Sequence, residues 1–318
     1  MSESILRCKL GNFLALLLLW LVIGSSAIAQ SATQEVTVLD STKPVERELK
    51  GGEQHVYQVR LRSGQFVNIS VEQRGIDVVV DLFDPNEKQI INAQDGPNGR
   101  YGPEPVVNIA EADGNYRLVV RAPNKTAPPG SYRISVIALR EATDVDRAHV
   151  AAENVFTEAY LKLRPQRTAA ARRAAIEKCQ AALPFFQSAG ENYRAGLILS
   201  VTGLLYAESS EFRKAVEYFQ QALTLFHSLH DRYGEMDTLN FLGGMYDVLG
   251  EPQKALNNYE QALSLAREAK NQNLESFVLN NIGKINNDLD NWQKAIEYYQ
   301  QTLAVARANG NKRLEAVS

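Results

Sequence analysis

Few side chains in this sequence stand where they could make or break a bond. His227 and His230 lie three apart near the end of a helical stretch and could share a metal, yet no cysteine or third ligand accompanies them, and a zinc site needs three or four. Asp77, Asp81 and Asp84 could offer oxygen to a hard cation such as calcium, but their spacing matches no known loop and Asp84-Pro85-Asn86 already reads as a turn. No serine, cysteine or carboxylate pair has the arrangement of a nucleophile with its base, and Gly243-Gly244 falls inside a helical stretch, not in a phosphate-cradling loop. The expectation is a chain with no catalytic residue, no metal and no cofactor.

What remains is binding chemistry, carried by asparagine. Asn240 and Asn280 are 40 residues apart, with Asn281 beside the second. An amide offers a donor and an acceptor together, so a ladder of amides can hold an extended peptide backbone without demanding a particular sequence. Asp247, Lys284 and Asn287 fall on the same helical faces and complete the candidate binding residues. Ser200, Leu204, Ala207, Asp237, Gly244 and Phe277 share those faces.

The elements that must hold these residues divide the chain in two. Its 318 residues suggest about two domains, and 45% hydrophobic with 22% charged residues allows a packed core in each. A net charge of -3 without a basic stripe leaves no footprint for nucleic acid. Arg7 and Lys9 precede an apolar run from Phe13 to Ile23, then come small residues ending in Ala27-Ile28-Ala29. That order predicts a secretory signal cleaved after Ala29, a mature chain from Gln30 and a secreted or periplasmic protein with no membrane contact. The alternative is an uncleaved inner-membrane anchor over Leu10 to Ala29. After cleavage only Cys179 is left, so the mature fold must stand without an internal disulfide.

From Glu35 to Leu139 the pattern alternates with period two. His55 to Leu61, Phe66 to Val71, Val78 to Phe83, Tyr116 to Val120 and Tyr132 to Val136 read as strands, rich in β-branched and aromatic residues. Turn residues separate them, among them Ser63-Gly64, Asp113-Gly114 and Pro128-Pro129-Gly130, and Gly96 to Glu104 reads as a long polar loop. The expectation is an antiparallel, jelly-roll-like all-β sandwich. Leu49 to Tyr57, Leu61 to Gln65, Asp81 to Asn86, Asp113 to Leu118 and Pro129 to Tyr132 together resemble the bacterial pre-peptidase C-terminal type of sandwich. The resemblance implies a module that accompanies exported enzymes and binds or assists without catalysing.

The second half repeats every 40 residues. The block Lys214 to Leu223 recurs as Lys254 to Leu263 and Lys294 to Leu303, each preceded at a fixed offset by a glycine, Gly203, Gly243 or Gly283. Close approach of paired helices explains the residue types: the glycines are expected to face Ala215, Ala255 and Ala295, and Phe219, Tyr259 and Tyr299 to fill the space left over. Thr302 and Asn286 make the third copy the least regular. This layout resembles the tetratricopeptide repeat in its longer form, which implies an all-α solenoid whose first helices line a concave groove and hold peptides on asparagine ladders. A degenerate copy over Ala174 to Leu183 has Leu163 where the glycine would stand and carries Pro184 inside its second helix.

The expected organisation is multidomain: signal at 1–29, sandwich at 30–140, linker helix and degenerate repeat at 141–195, then repeats at 196–235, 236–275 and 276–315. The stack reads as incomplete at the C-terminus, which would favour self-association or a longer protein. The expected function is an exported scaffold holding a protein or peptide in the groove. The combination of signal, sandwich and long repeats also resembles the front part of bacterial proteins with a caspase-like CHAT peptidase domain, and a cell-wall or carbohydrate-binding role for the sandwich is the third alternative.

Overall fold

The computed structural model describes residues 36–93 and 101–308. The expected signal at 1–29 lies outside the described residues. Nine strands come first: β1 (Val36–Val38), β2 (Val45–Leu49), β3 (Gln54–Leu61), β4 (Gln65–Arg74), β5 (Val79–Phe83), β6 (Gln89–Ala93), β7 (Tyr101–Ile109), β8 (Gly114–Arg121) and β9 (Gly130–Glu141). They form two sheets, in the orders β1-β3-β8-β5-β6 and β2-β9-β4-β7. Alternate residues of each strand turn inward, as the period of two requires. Tyr57, Val59 and Leu61 of β3 share one core with Val67, Ile69 and Val71 of β4 and with Leu118, Val120 and Ile134. This is the face-to-face packing of a sandwich.

β2, β6 and β7 are not among the strands expected from the sequence, and all three lie at sheet edges. β2 reads Val45-Glu46-Arg47-Glu48-Leu49 and buries fully only Leu49; it is an edge strand, where charge guards the open side. β6 is a short strand at the edge of the other sheet and carries neither a charge nor a proline. β7 corrects the end of the loop expected over Gly96 to Glu104, because the strand begins at Tyr101; residues 96–100 of that loop lie outside the described residues. Pro103 and Pro105 disguise it in the sequence. An edge position tolerates them, since a proline there forfeits no ladder bond on the open side.

The chain leaves β9 and enters a helix within three residues. α1 (Asp144–Thr157) is closed by a capping box of Thr143 and Asp146. Asp146 also accepts from Arg140 of β9 (Nη2 to Oδ1, 2.8 Å), which holds its carboxyl down at about 2. His149 of α1 is buried against Phe66 of β4, ring centroids 6.2 Å apart. The sandwich therefore packs directly on the first helix, and the stretch expected as a linker is part of a junction.

α1 then widens into a π-helical turn over Glu158–Leu163 and tightens into a short 3-10 turn over Arg164–Gln166. The widening falls where the repeat's glycine is replaced by Leu163. Next come α2 (Ala169–Ser188), α3 (Asn192–Glu208), α4 (Phe212–Ser228), α5 (Arg232–Val248), α6 (Pro252–Glu268), α7 (Gln272–Asp288) and α8 (Trp292–Ala308). α3 to α8 each have 17 residues. A residue with left-handed backbone follows each of α2 to α7, at Gly190, Ser210, His230, Gly250, Lys270 and Asp290. This turn reverses the chain so that consecutive helices lie side by side. Asp231 and Asn271 cap α5 and α7 from equivalent positions.

Candidate functional site

The helices pair through a close approach that differs from the expected one. A Cβ on Gly203 would lie 2.8 Å from the Phe219 ring, one on Gly243 2.6 Å from Tyr259, and one on Gly283 2.8 Å from Tyr299. Each glycine faces the aromatic ring of its partner helix and not the alanine. Without a Cβ, the backbone of the first helix offers a flat surface on which the ring lies. Ala215, Ala255 and Ala295 are themselves buried. A second device was not legible in advance: Phe226 of α4 lies against both Gly196 and Gly234, where a Cβ would meet it at 2.9 and 2.5 Å. In the next repeat the phenylalanine becomes Ala266, and Met236 and Leu274 take the glycine positions. The volumes are exchanged, so the spacing survives.

Successive hairpins are stitched at their edges. Gln180 donates to the Tyr206 hydroxyl (3.2 Å), and Gln220, one repeat later, to that of Tyr246 (3.0 Å). The irregular residues of the third repeat satisfy themselves within their own helices. Asn286 donates to the Ile282 carbonyl (2.9 Å) and Thr302 to that of Tyr298 (2.9 Å).

The candidate groove residues lie on the faces of α5 and α7 left free by this packing. On α5 these are Asp237, Asn240, Gly244 and Asp247; on α7, Phe277, Asn280, Lys284 and Asn287. The spacings of three and four residues put each set on one side of its helix. Lys284 joins the two sets by an ion pair with Asp247 (2.8 Å). Tyr259 reaches the same surface from below: its ring lies under Gly243, its hydroxyl lies 3.5 Å from the place a Cβ on Gly244 would take, and it bonds to Asn281. Burial, then the Asp247 charge, push the Tyr259 hydroxyl above its ordinary value.

Two polar groups on α5 are left poised. Asn240 is half-buried, and its Oδ1 is buried without a hydrogen-bond partner. Asp237 has its carboxyl pushed up to about 7, chiefly by burial and then by the Asp231 charge, and no cation among the described residues offsets them. In α3 two of the equivalent positions, Leu197 and Ser200, are closed. Ser200 is only 2% exposed, and Leu204 and Ala207 are half-buried. The face expected to run along three repeats is polar and part-exposed on α5 and α7; on α3 it is apolar beyond Ser200, closed at Leu197 and Ser200 and part-exposed at Leu204 and Ala207.

The other candidates do not assemble. His227 ends α4, exposed beside Glu235 (3.3 Å), while His230 sits in the left-handed turn beyond the helix. Asp81 is engaged by Gln89 and Arg121, and Asp84 caps its own turn through Asn86 and Lys88. Among the described residues no group of three or more metal-ligating side chains converges. Cys179 is fully buried, and burial pushes its thiol up to about 12, which removes the reactive thiolate.

A two-sheet sandwich seated on a solenoid of helical hairpins is the architecture of a protein-interaction scaffold. The chain carries tetratricopeptide repeats, matched by that family's model over residues 198–268 and 234–308, and a bacterial pre-peptidase C-terminal domain, matched over residues 53–122. Among solved structures, the apo form of RapI is similar over 55% of this chain and 61% of its own, at 18% identity and TM-score 0.50. The chain thus spans less than two thirds of RapI, and the likeness is one of fold. Aspartyl phosphate phosphatase F from Bacillus subtilis matches over 53% of this chain and 42% of its own (15% identity, TM-score 0.45). The pre-peptidase C-terminal domain of a Bacillus anthracis collagenase matches over 32% of this chain and 95% of its own (22% identity, TM-score 0.27). The search of curated proteins found no match.

Proposed function

We propose that this protein is an exported, non-catalytic scaffold that holds an extended segment of a partner protein across α5 and α7. The observation that carries the reading is the half-buried Asn240, whose Oδ1 has no partner, with Asn280 at the equivalent position one repeat on. A buried acceptor left unbonded costs free energy of about 1–3 kcal/mol, which a backbone N–H from a bound peptide would recover. Export is favoured by the apolar run before Ala27-Ile28-Ala29, the sandwich type and the lone mature cysteine.

The groove is tested with peptides selected from a random displayed library on the full mature chain. Changing both Asn240→Ala and Asn280→Ala should weaken the selected peptides about tenfold or more, the worth of two hydrogen bonds, and leave the melting temperature in place. Equal affinity in the double variant rejects the groove. Export is tested by N-terminal sequencing of the protein from its producing cell: Gln30 is expected, and a start at Met1 rejects cleavage.

A further inference from the structure

Where the sandwich meets the helices lies a cavity of about 860 Å³, far from the groove residues in the chain. Four arginines line it: Arg121 from β8, Arg164 and Arg167 from the turn after α1, and Arg172 from α2. Arg164, Arg167 and Arg172 lie within one short stretch of the sequence; the packing of sandwich on solenoid brings Arg121 to them. Two have countercharges. Arg121 pairs with Asp81 (2.8 Å) and Arg164 with Glu208 (3.1 Å). No carboxylate among the described residues pairs with Arg167 or Arg172.

Arg172 is held but not satisfied. Its Nη1 donates to the Arg167 carbonyl (2.7 Å), while its Nε is buried with no hydrogen-bond partner. An unmade bond on a buried charged donor is costly, and a planar guanidinium is shaped to meet an oxyanion. Arg167 is exposed, has a left-handed backbone (φ 54°) and stands just before Thr168, the N-cap of α2. The first turn of α2 contains no acidic residue, so nothing there offsets the positive end of the helix dipole. The widened π-turn supplies an apolar wall, with Tyr160 and Leu161 lining the cavity. Such turns recur at binding sites because the extra residue re-aims side chains.

We propose that this cavity binds a small organic phosphate monoester, its phosphate held by Arg167 and Arg172 and its body laid against Tyr160. Two arginines without countercharges balance a phosphate monoester, which carries about -1.5 to -2 at neutral pH, better than they balance a single carboxylate. The volume is that of a small-molecule site. Because Arg121 belongs to the sandwich and Arg172 to the helices, an occupied cavity would also tie the two together.

The probe is phenyl phosphate, titrated into the full mature chain at constant ionic strength, followed by calorimetry and by the arginine Nε–H resonances. Saturable binding is expected, with one Nε–H signal shifting strongly as its bond forms. Inorganic phosphate, lacking the ring, and benzoate, carrying a single charge, should each bind about tenfold more weakly, in line with one lost contact. Arg167→Gln and Arg172→Lys should each weaken phenyl phosphate about tenfold or more, while Arg213→Gln, on an exposed face of α4, should not change it. Arg167 is exposed, so its variant tests the site even if a change at Arg172 disturbs the fold. Heat and shifts no greater than those from sodium chloride, or equal affinity in Arg167→Gln, would overturn the assignment.

Discussion

α3 and α5 occupy the same place in successive hairpins and have the same length, but their surfaces have opposite characters. α3 is buried without interruption from Ala195 to Gly203, as an evenly apolar helix must be. α5 buries Met236, Leu239 and Leu242 and leaves Asp237, Asn240 and Asp247 on a separate, part-exposed side. A repeat sets where the backbone runs; the neighbours of each copy set whether its face is open. Leu197 and Asp237 are the same position in the two repeats. One is core, and the other is a carboxyl kept in the fold at a cost.

That contrast can be broken first at the helix pairing. Gly243→Leu drives a side chain into the Tyr259 ring and should lower stability by about 3 kcal/mol, read as a large fall in the urea midpoint. Gly244 is its neighbour, but a Cβ there would meet only the Tyr259 hydroxyl at 3.5 Å. Gly244→Ala should therefore be neutral or stabilising by up to about 1 kcal/mol, from helix propensity alone. If both variants melt alike, the close approach at Gly243 is not what sets the spacing.

A pH-dependent effect should appear at Asp237. Its carboxyl titrates at about 7 in the fold against an ordinary value of 3.8. Between those values the folded state holds a proton that the unfolded chain has released, so stability falls as pH rises from 3.8 to about 7 and then levels off. Asp237→Asn removes that penalty. Its melting temperature should equal the parent's below pH 3.8 and exceed it by several degrees above pH 7. A difference that does not vary with pH would mean that Asp237 is not desolvated.

The strands with clean alternation were readable because one face is core and the other solvent. β2 and β7 escaped because edge strands carry charges and prolines that a central strand would reject, and β6 because its five residues are too few to show a period. The hairpins were readable from glycine and aromatic positions recurring in step, although the contact partner was misjudged: spacing names the small residue and the large one, but not which ring lies on which backbone. Asn240, Asn280 and Asn281 were visible as a stripe. That the stripe is closed at Leu197 and Ser200 of α3, and that Asp237 stands beside it without a cation, depended on what packs alongside.

The period of 40 residues, the inward stripe of each helix and the two-residue rhythm of the strands are local properties, repeated along the chain and enforced by backbone geometry. The sequence alone therefore determined that this protein is a sandwich followed by paired helices, built to bind. The junction through Arg140 and Asp146 and the cavity that gathers Arg121, Arg164, Arg167 and Arg172 belong to no repeat or alternation. Only the tertiary structure decided them, because they arise where two unrelated surfaces meet and Arg121 of the sandwich is brought to the arginines that follow α1.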